Sequence, residues 1–169
     1  MIRRRHEDGA TLSEAHYSGC GTYRYYLSRR WDPGRRLLWV MLNPSTATEV
    51  ANDPTIARCE GRARRTGYGA VGIANLFNLR ETDPKRMLRH PDPVGPEAEP
   101  QLAAALDWAD DIAAAWGNDA ARHPRTAQVC AALRGSGKPL YHLVMNRTGH
   151  PRHPLYVAEA QPLVPWHDA

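Results

Sequence analysis

The sequence has no feature of a membrane-spanning or exported protein. No stretch approaches the ~18 consecutive apolar residues of a membrane-spanning helix. The arginine-rich start also lacks the apolar segment that a signal peptide contains. At 169 residues the chain fits one domain with a sizeable core. We therefore expect a soluble, cytoplasmic protein with no membrane partner, folded as a single domain over residues 1–169.

Cysteine is scarce and scattered. Cys20, Cys59 and Cys130 are odd in number, lie far apart, and fit neither a disulfide framework nor a CxxC metal site. We expect three reduced thiols and no bound metal. The chain also lacks the GxxxxGK[ST] phosphate loop, the GxGxxG dinucleotide fingerprint and the GxSxG nucleophile elbow. We therefore expect a protein without a cofactor.

Lysine and phenylalanine are almost missing. The 22 Lys and Arg residues exceed the 18 Asp and Glu residues to give a net charge of +4, and only Lys85 and Lys138 are lysine. Arginine binds phosphate through a planar fork and stacks on flat rings, so this bias is compatible with nucleic-acid binding. A GC-rich genome produces the same bias. With one Phe and 14 Pro, we expect a core of Leu, Ala, Val and Trp joined by rigid connections.

The apolar run at residues 37–42 ends abruptly at Asn43, Pro44 and Ser45. Six consecutive apolar residues predict a strand buried on both faces, in a parallel or mixed sheet covered by helices. Open sheets of this kind bind ligands at the carboxyl ends of their strands, so Asn43 and Ser45 are well placed for chemistry. The alternative is a simple strand-to-helix turn in which Ser45 caps the next helix.

The rest of the chain alternates predicted strands and helices. We expect a loose or partly paired N-terminal arm at residues 1–16. Strands at 23–27 and 37–42 are predicted to form a β-hairpin around an Asp-Pro-Gly corner. Asp53 and Pro54 predict a helix from about 54 to 66, stopped by Gly67. Further strands are expected at 70–74, 111–116 and 139–145, and further helices just after residue 83, at 97–109 and at 125–134.

These elements predict an α/β domain of three layers, with a central, mostly parallel sheet of four or five strands flanked by helices. Right-handed crossovers bring the carboxyl ends of parallel strands to one edge, so we expect the side chains there to line one crevice. A single Asn at a strand end is more often a turn former, but four strand ends together favour a site. The residues concerned are Asn43, Ser45, Asn75, Asn78, Trp116, Asn118, Asn146, His150 and His153.

Six segments resemble a bacterial and phage family known as domain of unknown function 1643. In order they are LLWVMLNPSTA, NDPTIARCEGRARRTGYG, NLFNLRETDPKRML, PDPVGPE, AAAWG and GHPRHPLY, and together they cover roughly residues 23–166. That family name carries no activity. Less closely, the same order resembles the uracil-DNA glycosylase superfamily. The single α/β domain of that superfamily has a strand ending in a Gly-x-Asn-Pro-type water-activating motif and a late loop of His-Pro-Ser-Pro-Leu type.

The glycosylase resemblance implies roles for particular residues. Residues 42–45 stand for the first motif and residues 150–155 for the second. Asn75 falls where that superfamily often keeps a base-reading Asn, and Trp116 falls where a late strand ends in a similar Trp-Gly pair. The chain departs from the pattern in two ways. Its first motif lacks the leading Gly, and its late loop has an extra residue with Arg152 in place of a small one.

Amide, imidazole and aromatic groups without a cofactor suit the recognition of a planar heterocycle. With the resemblance, they lead to the hypothesis of a DNA glycosylase-like enzyme that hydrolyses the N-glycosidic bond of a flipped, modified base in DNA. Asn43 would position the water, and Asp53 is the reserve candidate, although it also suits helix capping. His150 or His153 would donate a hydrogen bond to the leaving base. The base would be held by Ser45, Asn75, Phe77, Asn78, Trp116 and Asn146, and the phosphates by Arg152, Arg58, Arg62 and Arg65.

Two other functions fit the same sequence. The first is a nucleoside or nucleotide N-ribohydrolase, which would act on a small molecule in the same crevice and would need no basic surface for DNA. The second is a non-catalytic nucleic-acid-binding module that reads a base without cutting. For the arginines at 58–65, a solvated helix face is the alternative to a phosphate contact. We expect a monomer whose partner is DNA, with no obligatory protein partner.

Overall fold

The computed structural model describes residues 1–167, which form a sheet covered by helices on both faces. The strands are β1 (Ile2–Asp8), β2 (Thr11–Tyr17), β3 (Arg24–Arg30), β4 (Arg36–Met41), β5 (Ala70–Asn75), β6 (Asp111–Ala114), β7 (Leu140–His142) and β8 (Val164–Pro165). The helices are α1 (Pro54–Arg65), α2 (Pro84–Arg89), α3 (Ala98–Trp108) and α4 (Pro124–Gly135), followed by a 3₁₀ turn at Pro154–Tyr156. No helix among the described residues is long and apolar enough to span a bilayer.

The sheet differs from the predicted one. Its strand order is β1-β2-β3-β5-β4-β6-β7-β8. Within residues 1–167, four of its seven pairings are antiparallel, and only β5-β4, β4-β6 and β6-β7 are parallel. The expectation of a mostly parallel sheet of four or five strands, like that of uracil-DNA glycosylases, is therefore wrong. The outer strands lack the apolar pattern by which a strand is recognised in a sequence. For example, β1 (IRRRHED) contains no buried residue.

Residues 2–17, expected to form a loose or partly paired arm, instead form a β-hairpin. β1 pairs with β2 over the full length of both strands. The connection turns at Gly9, whose φ of 57° lies in the left-handed region that favours glycine. β2 in turn pairs with β3, so the hairpin extends the sheet at one edge.

The predicted hairpin between the strands at 23–27 and 37–42 is also wrong, because β5 lies between β3 and β4. The corner after β3 crosses the start of β5, where the backbone N–H groups of Trp31 and Asp32 both donate to the carbonyl of Gly69 at 3.0 Å. A Cβ on Gly69 would come within 2.5 Å of the Asp32 carbonyl oxygen. Glycine at position 69 therefore permits this crossing.

The helices divide between the two faces of the sheet, as a three-layer arrangement requires. The predicted helix after Asp53 is confirmed as α1, with Pro54 in its first turn and Thr66 as its C-cap. Because β4 is buried on both faces, its alternate side chains enter different cores. One core contains Leu37, Trp39, Ile56, Cys59 and Ala63, and the other contains Leu38, Val40, Leu102, Leu106, Val129 and Leu133.

The two parallel neighbours of β4 are reached by different crossovers. α1 connects β4 to β5 on one side, and α3 lies between β5 and β6, which pairs with β4 on the other side. Where the connections of neighbouring strands diverge in this way, a crevice opens beyond their carboxyl ends. The fold therefore places a crevice beside the residues that follow β4, β5 and β6.

Candidate functional site

A cleft of about 610 Å³ opens at the carboxyl edge of the parallel strands. Its lining comes from the segments after β4, β5 and β6, from the start of α1, and from the loop between β7 and the 3₁₀ turn. Most of the polar strand-end residues singled out from the sequence meet here. Those that line the cleft are Asn43, Ser45, Asp53, Asn75, Trp116, Asn118, Asn146, Arg152 and His153.

Asn43 follows β4, and its side chain has a defined orientation. Its Nδ2 donates to the carbonyl oxygens of Pro44, at 3.1 Å, and Glu81, at 2.7 Å. Both partners are acceptors, so the NH₂ end of the amide must face them. Oδ1 has no partner among residues 1–167. It is therefore available to accept a hydrogen bond from water or a ligand in the cleft.

Asn75 ends β5 and is only 4% exposed, yet its amide makes no hydrogen bond to any described residue. Buried amides are normally paired within the protein. Because Asn75 lines the cleft, its donor and its acceptor are both available to a ligand. Ser45 also lines the cleft, and its hydroxyl is likewise without a partner in the described part of the chain.

Asp53 caps α1 and borders the cleft at the same time. Its Oδ1 accepts the backbone N–H of Ile56 at 2.9 Å, and its Oδ2 accepts that of Ala47 at 3.3 Å. The capping role considered from the sequence is therefore present. Each carboxylate oxygen keeps a further lone pair that a water molecule in the cleft can use.

His153 lines the cleft immediately before the 3₁₀ turn. Its Nδ1 accepts the backbone N–H of Leu155 at 3.3 Å, which places the proton of the neutral ring on Nε2. Burial lowers the pKa of His153, although the charges of Asp53 and Asp119 act in the opposite direction. The ring is therefore a neutral hydrogen-bond donor at pH 7, and its Nε2 has no partner among the described residues.

His150 does not line the cleft, contrary to the prediction. Its Nδ1 accepts the indole N–H of Trp116 at 3.3 Å. Trp116 borders the cleft but is only 1% exposed, and its ring packs against Trp166 with 5.8 Å between centroids. His150 therefore positions a buried tryptophan, and that tryptophan presents no open ring face to the cleft.

Phe77 and Asn78 also lie outside the cleft, so the predicted stacking and base-reading roles are wrong for both. The backbone N–H of Phe77 donates to the carbonyl of Leu42 at 3.0 Å, and its ring is fully buried against His123. The side chain of Asn78 donates to the carbonyl of Val94 at 2.9 Å. The chain has already turned back into the core two residues beyond the end of β5.

The arginines of α1 bind the C-terminal part of the chain. Arg62 is 5% exposed, and its Nη atoms donate to the carbonyl oxygens of residues 157, 158, 159 and 161. Arg58 donates to the carbonyl of Val157 at 3.0 Å. The predicted phosphate contact of Arg62 is therefore wrong, because protein carbonyls occupy both of its Nη groups. Only Nη1 of Arg58 is engaged among residues 1–167, so its phosphate contact stays a prediction. Arg65 is exposed and approaches the carbonyl of Glu159 at 3.4 Å, and its phosphate contact stays a prediction.

A chain of hydrogen bonds orients the far wall of the cleft. Arg152 donates from Nε to Oδ1 of Asn146 at 2.9 Å, and Asn146 donates to Oδ1 of Asn118 at 3.1 Å. Thr148 donates to the same oxygen of Asn118 at 2.6 Å. Since only Nε of Arg152 is engaged among residues 1–167, its two Nη groups are available for an anion at the cleft.

The sequence reasoning missed two residues at the cleft mouth. The carbonyl of Glu81 anchors Asn43, while its carboxylate accepts the backbone N–H groups of Thr82 and Asp83. The hydrogen bond from Asp83 lowers the pKa of Glu81. Tyr156 is 77% exposed on the cleft lip. Tyr156 ends the GHPRHPLY segment, so the pattern contained this signal, whereas nothing in the sequence distinguishes Glu81 from other loop acids.

Arg24 at the start of β3 is a further cleft residue that the sequence reasoning missed. It is 2% exposed, and the only hydrogen bond of its guanidinium within residues 1–167 goes from Nη1 to the carbonyl of Ala47. Desolvation lowers the pKa of Arg24 to about 10, so it stays positively charged at pH 7. The alternation of residues 23–27 predicts a half-exposed strand, which gives no reason to expect a buried arginine. The burial of Arg24 depends on residues distant in the chain, since it pairs with Tyr17 of β2 and contacts the loop after β4 at Ala47.

The fold and cleft define an α/β protein with a polar binding site at the carboxyl edge of its parallel strands. The family described as Protein of unknown function (DUF1643) matches residues 24–155, and the chain belongs to this family. The matched region runs from β3 to the 3₁₀ turn and contains every cleft-lining residue except Tyr156. No curated protein and no solved structure matches the chain.

Proposed function

We propose that the cleft binds a modified nucleobase flipped out of DNA and hydrolyses its N-glycosidic bond. The observation that carries this proposal is the anchored amide of Asn43, whose free Oδ1 borders the same cleft as the unpartnered amide of Asn75. The first group suits the positioning of a water molecule, and the second suits a base edge, which presents both donors and acceptors.

The proposed reaction needs no strong base, because the sugar becomes cationic as the bond breaks. Oδ1 of Asn43 accepts a hydrogen bond from water and holds its oxygen toward the anomeric carbon. The C–N bond breaks with its electron pair moving to the base, and the water oxygen forms the new bond to carbon while a water proton leaves to solvent. The Nε2–H of His153 donates to the base as negative charge develops.

Recognition of the base is assigned to three groups in the cleft. Asn75 reads the edge of the base, and the hydroxyl of Ser45 is a second polar contact. Tyr156 takes the stacking role that sequence reasoning gave to Phe77, since its ring is exposed on the lip and lies 6.0 Å from that of His153. Stacking of a base on an aromatic side chain contributes about 1–3 kcal/mol.

Contacts to the DNA backbone are assigned to the cleft rim. Arg152 has free Nη groups at the cleft. A shallower groove shares Ser45, Glu81 and Thr82 with the cleft and is also lined by Arg80 and Arg86. Because this groove continues from the cleft and carries two exposed arginines, it is a better placed path for flanking phosphates than the α1 face.

One observation favours a second candidate, a nucleotide N-ribohydrolase that acts on a small molecule. Arg58 and Arg62 are engaged with protein carbonyls, and Arg86 pairs with Glu81 at 3.1 Å, which reduces the basic surface that faces a polymer. A small nucleotide needs only the cleft itself. The two candidates share the reaction and differ in the size of the substrate.

One experiment separates the candidates. The protein is incubated with DNAs that carry normal, deaminated or hypermodified bases and, in parallel, with the matching nucleotides. Released base is measured by mass spectrometry, and abasic sites by alkali cleavage. Release from DNA supports the glycosylase, and release only from nucleotides supports the second candidate. Binding without release from either identifies a non-catalytic module and rejects both.

Salt dependence gives an independent test of the DNA contact. Each phosphate contact changes the logarithm of the affinity by about −0.9 per unit of log salt concentration on duplex DNA. Arg152→Ala is expected to weaken DNA binding and to reduce the magnitude of this slope by about 0.9, the value for one phosphate contact. Arg89→Ala is the matched control, because Arg89 is exposed on α2 and does not line the cleft. Affinity that does not vary with salt contradicts the polymer substrate.

A further inference from the structure

The guanidinium of Arg24 makes fewer hydrogen bonds to the protein than those of Arg29 and Arg62, two other buried arginines. Arg29, on the same strand, contacts Asn52 and the carbonyl of Thr48, and Arg62 contacts four carbonyls. Arg24 contacts only the carbonyl of Ala47 within residues 1–167. A buried charge without partners is costly, so its free N–H groups are expected to meet something other than protein.

The free N–H groups of Arg24 border the cleft. Arg24 lines this cavity, and none of its nitrogen atoms is among the buried side-chain atoms that are both sealed from solvent and unpartnered. Nε and Nη2 therefore keep access to solvent, on a residue that lines the cleft. Asp53 is the acidic group whose charge acts on Arg24, but its two oxygens are held by backbone N–H groups and form no ion pair with the guanidinium.

We propose that Arg24 forms an oxyanion subsite in the cleft and that the natural ligand places a phosphate group there. A guanidinium presents parallel N–H donors that match two phosphate oxygens, and such charge-assisted pairs are strong where water is excluded. The inference rests on the proposed function in one respect, that the ligand carries a nucleobase. It then assigns the ligand to nucleotides or nucleotide units of DNA and excludes free nucleosides.

The test begins with inorganic phosphate as the probe, in isothermal titration at constant ionic strength. Phosphate is expected to bind the native protein, and Arg24→Gln is expected to weaken this binding at least about tenfold, as for a lost hydrogen bond between charged groups. Arg24→Lys keeps the charge but loses the planar fork, so an intermediate affinity is expected. Arg89→Gln, which removes the same charge from an exposed residue that does not line the cleft, is expected to bind phosphate like the native protein.

Three results would overturn the inference: no phosphate binding to the native protein, unchanged affinity in folded Arg24→Gln, or an equal loss in Arg89→Gln. Circular dichroism establishes that each variant is folded. If Arg24→Gln does not fold, Arg24→Lys decides the question, and native-like phosphate affinity in that variant contradicts the subsite. Competition gives a readout on the native protein, since phosphate is expected to displace a nucleoside 5′-monophosphate.

The source of the phosphate is distinguished by the ligand. Tighter binding of a nucleoside 5′-monophosphate than of a short oligonucleotide without a terminal phosphate identifies a small nucleotide, and the reverse identifies a phosphodiester. Base release is measured separately. Phosphate binding through Arg24 without any base release rejects the proposed function and leaves the subsite intact. Base release with an unchanged KM in Arg24→Gln rejects the subsite and leaves the proposed function intact.

Discussion

Replacing Asn43 by alanine removes two features of one side chain, the amide hydrogens that hold it and the carbonyl oxygen that is free at the cleft. The two lost hydrogen bonds, to Pro44 and Glu81, predict a decrease of about 1–3 kcal/mol in the free energy of unfolding, at about 0.5–1.5 kcal/mol for each bond. The lost water contact predicts a much larger change in rate. A positioned general base or orienting group contributes about 10²–10⁴-fold, equal to roughly 3–5 kcal/mol in the activation barrier.

Three measurements separate these effects. Urea unfolding followed by circular dichroism gives the change in stability, single-turnover base release gives the rate, and fluorescence anisotropy gives substrate affinity. The affinity of Asn43→Ala is expected to stay close to native, because a water-positioning group acts mainly in the transition state. Asn78→Ala is the matched control, since Asn78 also donates to a backbone carbonyl but lies outside the cleft. It is expected to lose stability and to keep its rate.

Two outcomes would refute the reasoning about Asn43. The first is a rate within about threefold of native in folded Asn43→Ala, well below the expected ~10²–10⁴-fold loss. The second comes from Asp53→Asn, which keeps an oxygen to cap α1 but removes the charge. If Asp53→Asn stops base release while Asn43→Ala only weakens binding, then the carboxylate activates the water.

Three further predictions test the structure itself. Arg62→Met is expected to lower the free energy of unfolding by about 2–4 kcal/mol, because several carbonyls of residues 157–161 lose their buried partner. The salt dependence of ligand binding is expected to stay unchanged. A thermal melt identical to that of the native protein contradicts this prediction. Burial lowers the pKa of His142 and His153 in the folded protein, so the unfolded chain takes up protons first as the pH falls. The free energy of unfolding should therefore decrease as the pH drops below 6.5, the ordinary pKa of histidine, and this decrease should be less steep in His153→Gln. Urea unfolding between about pH 5 and 8 checks the sign. Hydrogen bonds with Ser18 and Thr22 lower the pKa of the exposed Cys20 thiol to about 7, whereas burial raises the pKa of Cys59. A thiol reagent at pH 7 should therefore label Cys20 first and Cys59 only on unfolding. Early labelling of Cys59, detected by peptide mass spectrometry, contradicts the assigned burial.

The parts of the fold predicted correctly depend on local chemistry. Asp53 and Pro54 start a helix because a carboxylate can cap free N–H groups and proline suits the first turn. β4 and β5 were recognisable because continuous apolar runs are buried on both faces. Their polar ends, Asn43 and Asn75, were therefore placed at one edge before any tertiary contact was known. Signals of this kind extend over a few residues and survive any arrangement of the rest of the chain.

The sequence by itself therefore determined the two strands that are buried on both faces, the start of α1 and the polar strand ends of the cleft. Only the tertiary structure decided which neighbouring residues reach that cleft, because burial and pairing depend on elements distant in the chain. Arg62 on an apparently solvated helix face is covered by residues 157–161. Phe77, two residues after Asn75, turns into the core, while Arg24, which pairs with Tyr17 of β2 and contacts the carbonyl of Ala47, is 2% exposed and lines the cleft. Periodicity reports which face a residue shares with its local neighbours, and it carries no information about what covers that face.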